Sequence, residues 1–234
     1  MDRLTWALED QALMARARNY FAWQARLVKP ELGRRVVEVG CGTGNFTGAI
    51  LDRELLVAID IEPACVERLR GRFPGRENLL TFVCSPGTPE FAALARLRPD
   101  SCVCLNVLEH IEDDAGALRS MAGILPPGGR VALMLPAFPA LFGPIDRNLG
   151  HYRRYTRRSV EEMAERAGLK VVRVRFMNTV GFFGWWVNAR VLRREAQSAG
   201  QIEVFDRAIV PAMARLEGIL PPPFGQSLIA VLAR

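Results

Sequence analysis

Residues 34–46 constrain the fold of this chain more than any other stretch. A β-branched run, Val36-Val37-Glu38-Val39, leads directly into three alternating glycines, Gly40, Gly42 and Gly44. This pattern predicts a buried parallel strand that turns tightly into a helix. Glycines permit positive φ angles and the close approach of a ligand, and a helix N-terminus offers free N–H groups. The stretch therefore predicts an open α/β sheet with a nucleotide-like ligand at the carboxyl end of this strand.

Two details indicate which nucleotide-like ligand is expected. The dinucleotide fingerprint G-x-G-x-x-G requires glycine at position 45, where the chain has Asn45. Glu38, two residues before the first glycine, would repel a pyrophosphate but attract an ammonium group. A second predicted strand, Leu55–Ile59, ends in Asp60, at the offset of about twenty residues expected for a ribose-binding acid. A purely structural glycine turn stays open as the alternative.

This arrangement of acid, G-x-G-x-G and second acid resembles the class I S-adenosylmethionine-dependent methyltransferases. A second landmark, Asn106-Val107-Leu108-Glu109-His110-Ile111, is similar to the segment after strand four in methyltransferases that act on small molecules. It lacks the N-P-P-Y or D-P-P-Y segment of enzymes that methylate nucleobase or glutamine amides. The D-x-x-x-G-H-x-R-R-Y segment at 146–155 resembles a bacterial small-molecule (methyltransferase type 11/12-like) subgroup.

The resemblance implies a Rossmann-like methyltransferase fold with helices around a seven-stranded, mostly parallel sheet whose last strand is antiparallel. The chain then divides into an N-terminal helical cover (1–30), a cofactor-binding core (31–178), a helical insertion (179–225) and the last strand (226–234). We predict that the insertion forms two helices, the second of which is kinked at Pro211.

The resemblance also implies S-adenosyl-L-methionine as the cofactor, S-adenosyl-L-homocysteine as its product, and no metal. Tyr20 belongs to an Asn-Tyr-x-x-Trp segment that folds over the cofactor in the resembling group, although packing on the sheet edge is an alternative. The third strand (80–84) ends in Cys84 and Ser85, where relatives carry an acid or asparagine, so Ser85 or the backbone is expected to contact the adenine. The predicted cofactor-binding residues are Tyr20, Glu38, Gly40, Cys41, Gly42, Gly44, Asn45, Asp60, Ile61, Ser85, Asn106 and Val107.

Methyl transfer from a sulfonium needs alignment of the methyl group and its acceptor and exclusion of water. A general base helps when the acceptor still carries a proton. The chain has only two histidines, and His110 and His151 fall in the loops after strands four and five, beside the expected transfer point. We predict that at least one approaches the acceptor, with Tyr152 and Glu109 as further catalytic candidates. The alternative is that the histidines are packed or solvated and that the loop arginines pair with Asp146.

The insertion begins with a strongly apolar face. Phe182, Trp185, Trp186 and Ala189 recur at helical spacing, followed by arginines. Such a face needs a cover. We predict that this face lines the acceptor pocket; the alternatives are that the second subunit of a homodimer or a membrane surface covers it.

Composition restricts the partners. The net charge is +6 and nearly all basic residues are arginine, but no nucleic-acid-binding signature is present. Five scattered cysteines indicate free thiols in a reducing cytoplasm, and neither a signal peptide nor a spanning segment is expected.

We therefore expect methylation, on oxygen, nitrogen or carbon, of a small, partly aromatic or apolar metabolite, such as an indole-type or other natural-product acceptor. One alternative is a membrane-surface methyltransferase acting on a lipid-linked or glycan-type acceptor. Another is a binding module or short-chain dehydrogenase, against which the residue at position 45 and the absence of a Tyr-x-x-x-Lys pair argue.

Overall fold

The centre of the protein is one seven-stranded sheet. The structure is a computed structural model that describes residues 11–192 and 199–234. The strands, in chain order, are β1 (Arg35–Val39), β2 (Leu55–Asp60), β3 (Leu79–Val83), β4 (Ser101–Leu105), β5 (Arg130–Pro136), β6 (Lys170–Met177) and β7 (Ser227–Ala233).

Their order in the sheet is β3-β2-β1-β4-β5-β7-β6, and β7 runs antiparallel to both of its neighbours. The other pairs are parallel, which confirms the predicted fold class. The strand order reverses between β1 and β4, and open α/β sheets bind ligands at such a switch point.

Helices cover both faces of the sheet. Their bounds are α1 (Arg18–Val28), α2 (Pro63–Arg72), α3 (Pro89–Ala93), α4 (Asp114–Gly123), α5 (Pro144–Leu149), α6 (Arg157–Arg166), α7 (Thr179–Trp186), α8 (Ala199–Val204) and α9 (Val210–Ile219). Residues 11–14 are also helical. The central strands are mostly apolar because both of their faces are buried, as β4 shows with four buried residues in five.

The prediction of a helix directly after the glycines is wrong about the kind of helix. Only a short 3-10 helix, Thr47–Ile50, follows the glycine loop. Ten residues separate Gly44 from β2, Gly48 has a low helix propensity, and Thr47 turns its hydroxyl toward β1. The loop therefore presents its own N–H groups, and not those of an α-helix, at the carboxyl end of β1.

The insertion between β6 and β7 is helical, as predicted. It comprises α7, a π-helical segment (Val187–Val191), α8, a second π-helical segment (Phe205–Ile209) and α9. The second π segment ends just before Pro211, near the predicted kink. Arg193 and Arg194, like the predicted cover residues 1–10, lie outside the described residues.

The predicted apolar face of α7 does not act as one surface. Trp186 is 47% exposed and Phe183 is 54% exposed, whereas Ala189 is buried. Phe182 packs against Phe138 and Phe224. The face is divided because neighbours from other elements cover only one side of this short helix. Within the described ranges, none of the helices has the length and apolar character of a bilayer-crossing segment.

Candidate active site

The glycine loop after β1 depends on left-handed backbone conformations. Gly40, Gly42 and Gly44 have φ angles of +73°, +52° and +83°. The amides of Gly40 and Cys41 both donate to the Ile59 carbonyl, at 2.8 and 2.9 Å, and fold the loop across the end of β2. A Cβ atom on Gly40 would overlap Cγ2 of Val107. Gly40 is thus required both for its φ angle and for its close contact with the loop after β4.

Asp60, the last residue of β2, braces this loop. Its Oδ2 accepts from the Gly42 amide at 2.8 Å and its Oδ1 accepts from the Glu62 amide at 3.0 Å. Burial raises the pKa of Asp60 above its usual range, although these backbone hydrogen bonds act in the opposite direction. Each carboxylate oxygen keeps a lone pair with which it could accept from a ligand hydroxyl.

Glu38 lies beneath the same loop and is 4% exposed. The Thr47 hydroxyl donates to its Oε2 at 2.7 Å. Burial raises the pKa of Glu38 from 4.5 to about 8, and the negative charge of Asp60 acts in the same direction. A cation brought next to Glu38 would restore its ionised form, as expected for an ammonium-bearing ligand.

Gln11, which the sequence analysis did not single out, closes the outer side of the glycine loop. Its Oε1 accepts from the Thr43 amide at 2.7 Å, and its backbone carbonyl accepts from Nδ2 of Asn45 at 2.9 Å. No motif marks this residue. Its presence in a predicted helical cover just before the core was the only available signal.

The N-terminal cover and the insertion are joined at Asp206, a buried residue of the second π segment. Its Oδ1 accepts from the Tyr20 amide at 2.8 Å, and its Oδ2 accepts from the Asn19 amide at 3.2 Å. The Tyr20 hydroxyl interacts with the side chains of Ser227, Gln24 and Asn178, near the ends of β6 and β7. Tyr20 thus lines the cavity with its hydroxyl facing the insertion side, and its contact with a cofactor stays a prediction.

A cavity of about 1180 Å³ opens between these loops and the insertion. All of the predicted site residues line it except two. Those that do are Tyr20, Glu38, Gly40, Cys41, Gly42, Asn45, Asp60, Ile61, Ser85, Asn106, Val107, Glu109, His110 and His151. The cavity runs from the glycine loop to both histidines, so the predicted cofactor and acceptor residues share one space.

The structure does not bring Gly44 and Tyr152 to the cavity. A Cβ atom on Gly44 would lie 2.9 Å from Cε2 of Phe73, so this glycine serves the packing of α2 on the loop. The Tyr152 amide donates to the Glu109 carbonyl at 2.7 Å, while its side chain is 52% exposed and contacts the Arg153 guanidinium. Tyr152 therefore contributes its backbone and not its hydroxyl.

Three ionisable side chains meet at the far end of the cavity. Glu109 and His110 belong to a 3-10 turn, Leu108–His110, directly after β4, and His151 follows α5. The two imidazole rings are 4.6 Å apart between centroids and nearly perpendicular. Glu109 is 1% exposed, and burial raises its pKa from 4.5 to about 7 while the neighbouring His151 and Arg154 oppose that rise.

Asp146 holds this end of the site in shape. Its Oδ1 lies 2.9 Å from Nδ1 of His151 and accepts from Nε of Arg154 at 2.8 Å, and its Oδ2 accepts from the Gly143 amide. Burial favours the neutral acid, but the hydrogen bonds from His151 and Arg154 outweigh it and hold the pKa of Asp146 below its usual range. The Arg154 guanidinium also lies over the Trp185 ring, 4.7 Å from its centroid. The pairing of a loop arginine with Asp146, given above as the alternative, is observed for Arg154.

Sequence comparison identifies the family. A family model described as a methyltransferase domain matches residues 9–174, well over half of the chain. The chain belongs to the class I S-adenosylmethionine-dependent methyltransferases. The match covers the glycine loop, Asp60 and the loop that contains His151, and it ends before the helical insertion.

Curated relatives match part of this methyltransferase. Trans-aconitate 2-methyltransferase of Methylobacterium radiotolerans is 33% identical over 109 residues, which cover 45% of this chain and 39% of the relative. Ubiquinone biosynthesis O-methyltransferase of Ralstonia nicotianae is 29% identical over 145 residues, covering 53% of this chain and 48% of the relative. The chain thus spans half or less of the length of these relatives.

Solved structures share the fold over nearly the whole chain. A methyltransferase solved with the Trm112 activator of Haloferax volcanii has a TM-score of 0.64 at 18% identity, covering 98% of this chain and 94% of that one. An S-adenosylmethionine-dependent methyltransferase from Mesorhizobium loti has a TM-score of 0.58 at 18% identity, covering 93% and 98%. The resemblance to these structures includes the insertion as well as the core.

Proposed function

We propose that this protein transfers the methyl group of S-adenosylmethionine to a small, partly aromatic or apolar acceptor. The observation that carries the proposal is the continuous cavity from the glycine loop to His110 and His151. A cofactor and an acceptor in one cavity can be aligned for in-line displacement, and the bound pair displaces water from it.

The cofactor half of the cavity offers a group for each part of S-adenosylmethionine. Glu38 and the glycine loop suit its methionine ammonium, and Asp60 suits the two ribose hydroxyls. Ser85 or the nearby backbone suits the adenine, and Asn106 and Val107 lie on the methionine side. Asn106 has a φ angle of +55°, which marks a constrained turn at the end of β4, where the two halves of the cavity meet.

The acceptor half combines apolar and ionisable groups. Trp185 offers an aromatic wall that Arg154 holds in place, and His110, His151 and Glu109 can take up a proton from the acceptor. Two relatives are named for trans-aconitate and for ubiquinone biosynthesis, which supports a small-molecule acceptor here. A histidine is the proposed general base, and the proposed chemistry asks of the chain only alignment, desolvation and this proton transfer.

Calorimetry and radiolabel transfer test the proposal. S-adenosylhomocysteine should bind with a Kd in the micromolar range or below, which corresponds to a favourable binding free energy of roughly 8 kcal/mol or more. The methyl group of labelled S-adenosylmethionine should appear in one class of a panel of phenols, carboxylates, amines and indoles. Tight binding of NAD without any heat from S-adenosylhomocysteine would overturn the proposal.

The two histidines are tested separately. If one of them acts as the base, its replacement by alanine should lower turnover by about 10²–10⁴-fold without changing the affinity for S-adenosylhomocysteine. Unchanged turnover in both single variants and in the double variant would leave alignment alone as the source of catalysis.

A further inference from the structure

Three side chains with metal-binding donor atoms converge at the acceptor end of the cavity. Glu109, His110 and His151 each offer one donor atom, and these atoms all lie within 4.8 Å of one another. The hydrogen bond from the Tyr152 amide to the Glu109 carbonyl ties the two loops together at this point. The cluster is therefore built by the backbone and does not depend on a chance approach of long side chains.

The Glu109 carboxylate has no hydrogen-bond partner within the described part of the chain, although it is 1% exposed. A buried carboxylate of this kind is costly and rare in native proteins. The charge of Arg154 acts on Glu109, but this guanidinium donates its hydrogen bonds to Asp146 and to the Ala137 carbonyl. A cation held between Glu109 and the imidazoles would satisfy both the charge and the lone pairs of the carboxylate.

The hydrogen bond of His151 orients the ring for ligation. Its Nδ1 faces Oδ1 of Asp146 at 2.9 Å, and Asp146 also accepts from Arg154 and Gly143. Since an ionised carboxylate only accepts, Nδ1 carries the proton, and in the neutral ring the lone pair is on Nε2. A carboxylate on the second ring nitrogen is the usual partner of a metal-ligating histidine.

We propose that Glu109, His110 and His151 form a binding site for a divalent transition-metal ion that keeps a coordination position open to the acceptor cavity. Two imidazoles and one carboxylate suit Zn²⁺, Co²⁺ or Fe²⁺ better than Mg²⁺ or Ca²⁺, which prefer oxygen ligands. Ligands at about 2.0–2.2 Å from one ion lie roughly 3–3.5 Å apart, so the three donors, all within 4.8 Å of one another, draw together by at most about 1–2 Å on binding. The sequence predicted a site without a metal, and this proposal replaces that prediction.

The ion also specifies a class of acceptor, an inference that rests on the proposed function. A hydroxyl oxygen of a phenol, enol or alcohol fits the open position, and a divalent ion lowers the pKa of a bound hydroxyl. The hydroxyl proton leaves to solvent, the oxygen–methyl bond forms as the sulfur–methyl bond breaks, and S-adenosylhomocysteine is released. In this arrangement the histidines are ligands, and the ion takes over the task of the histidine base.

Metal binding to the full chain tests the proposal. After treatment with a chelator, the protein is titrated with Zn²⁺ by calorimetry and with Co²⁺ by visible absorption. We expect one ion per chain, with a Kd in the micromolar range or below. Glu109→Gln and His151→Ala should each weaken Zn²⁺ binding at least tenfold. The matched control is Glu112→Gln, which removes the charge of an exposed carboxylate three residues along the chain and should leave the affinity unchanged.

Binding of S-adenosylhomocysteine, measured on the same samples, separates the possible failures. If the wild-type protein binds this ligand but neither metal ion, the metal site is wrong and the proposed function stands. If it binds the ions but not S-adenosylhomocysteine, the proposed function is wrong and the metal site stands. An equal loss of Zn²⁺ affinity in Glu112→Gln would show non-specific binding and overturn the site. Should Glu109→Gln fail to fold, His110→Ala takes its place, and wild-type Zn²⁺ affinity in that variant would also overturn the site.

Discussion

The Thr47 hydroxyl donates to the Glu38 carboxylate at 2.7 Å beneath the glycine loop. This contact joins the end of β1 to the first residue of the 3-10 helix that follows the loop. This hydrogen bond can form whether Glu38 is neutral or ionised, because the threonine supplies the hydrogen. The carboxyl can therefore stay neutral in the free protein and become ionised when a cation arrives.

The pH dependence of stability follows from this arrangement. The folded-state pKa of Glu38, about 8, lies above the ordinary value of 4.5, so its contribution to the free energy of unfolding is present below pH 4.5 and is lost as the pH rises through 8. Glu38→Gln keeps an acceptor for Thr47 and does not titrate. In urea unfolding without ligand, the stability of this variant relative to wild type should increase between pH 5 and 8.5, by roughly 1–4 kcal/mol.

The same variant should bind S-adenosylhomocysteine more weakly, since it cannot offer a carboxylate to the ammonium. For the stability measurement the control is Glu161→Gln, on the exposed side of α6. Its unfolding free energy should differ from that of wild type by a constant amount between pH 5 and 8.5. A flat difference for Glu38→Gln as well would mean that Glu38 is ionised in the free protein.

Gly40→Ala should be more damaging than its backbone conformation alone predicts. Gly40 and Gly168 have nearly equal φ angles, +73° and +74°, but only at Gly40 would a Cβ atom meet another residue, Val107. Gly168→Ala should therefore cost about 1 kcal/mol in urea unfolding, whereas Gly40→Ala should cost more and also weaken S-adenosylhomocysteine binding. Adding Val107→Ala to Gly40→Ala should recover part of the loss. Equal losses at the two glycines would argue against the contact.

Asp60→Ala should weaken binding of S-adenosylmethionine and S-adenosylhomocysteine by roughly 1.5–3 kcal/mol, because the ribose hydroxyls lose a charged acceptor. The variant should also be less stable without ligand, since the Gly42 and Glu62 amides lose their partner. Calorimetry and thermal unfolding measure the two effects. Asp52→Ala removes an exposed acid that pairs with Lys29 and should leave ligand affinity unchanged. Wild-type affinity in Asp60→Ala would remove the ribose assignment.

Trp185 and Trp186 are adjacent but should behave differently. Trp185 lines the cavity under the Arg154 guanidinium, whereas Trp186 is 47% exposed and does not line it. Trp185→Ala should raise the acceptor KM, or change which acceptor is used, without affecting S-adenosylhomocysteine binding. Trp186→Ala is the matched control for steady-state kinetics. If instead Trp186→Ala alone changes oligomeric state or liposome binding, the exposed side of α7 is an interface.

The central strands of the sheet could be predicted from the sequence because they are buried on both faces. A predicted strand at 55–59 is observed as Leu55–Asp60. Continuous apolar runs bounded by glycines or acids leave little freedom in placing such strands. The predicted third strand, 80–84, is displaced by one residue to Leu79–Val83, where partial exposure weakens the pattern.

The parts of the site that the sequence did not reveal depend on contacts between distant residues. Asp206 binds the backbone at Asn19 and Tyr20 across more than 180 positions, and Gln11 reaches the loop at Thr43. No spacing rule encodes such pairs. The outward direction of the Tyr152 side chain is similar, because it is decided by where the backbone bonds to Glu109. In contrast, Asp146 and Arg154 share one loop, and their pairing could be anticipated from the local sequence.

The position of β7 has a consequence for how the protein is made. This strand lies between β5 and β6, yet residues 178–226 separate it from β6 in the chain. On the ribosome, β6 therefore emerges with no strand to pair with, and the edge of β5 stays uncovered while the insertion is translated. Unpaired strand edges invite aggregation. Substitutions in α7–α9 that slow folding of the insertion would thus lower the yield of newly synthesised protein, an effect that kinetics on purified enzyme would not reveal.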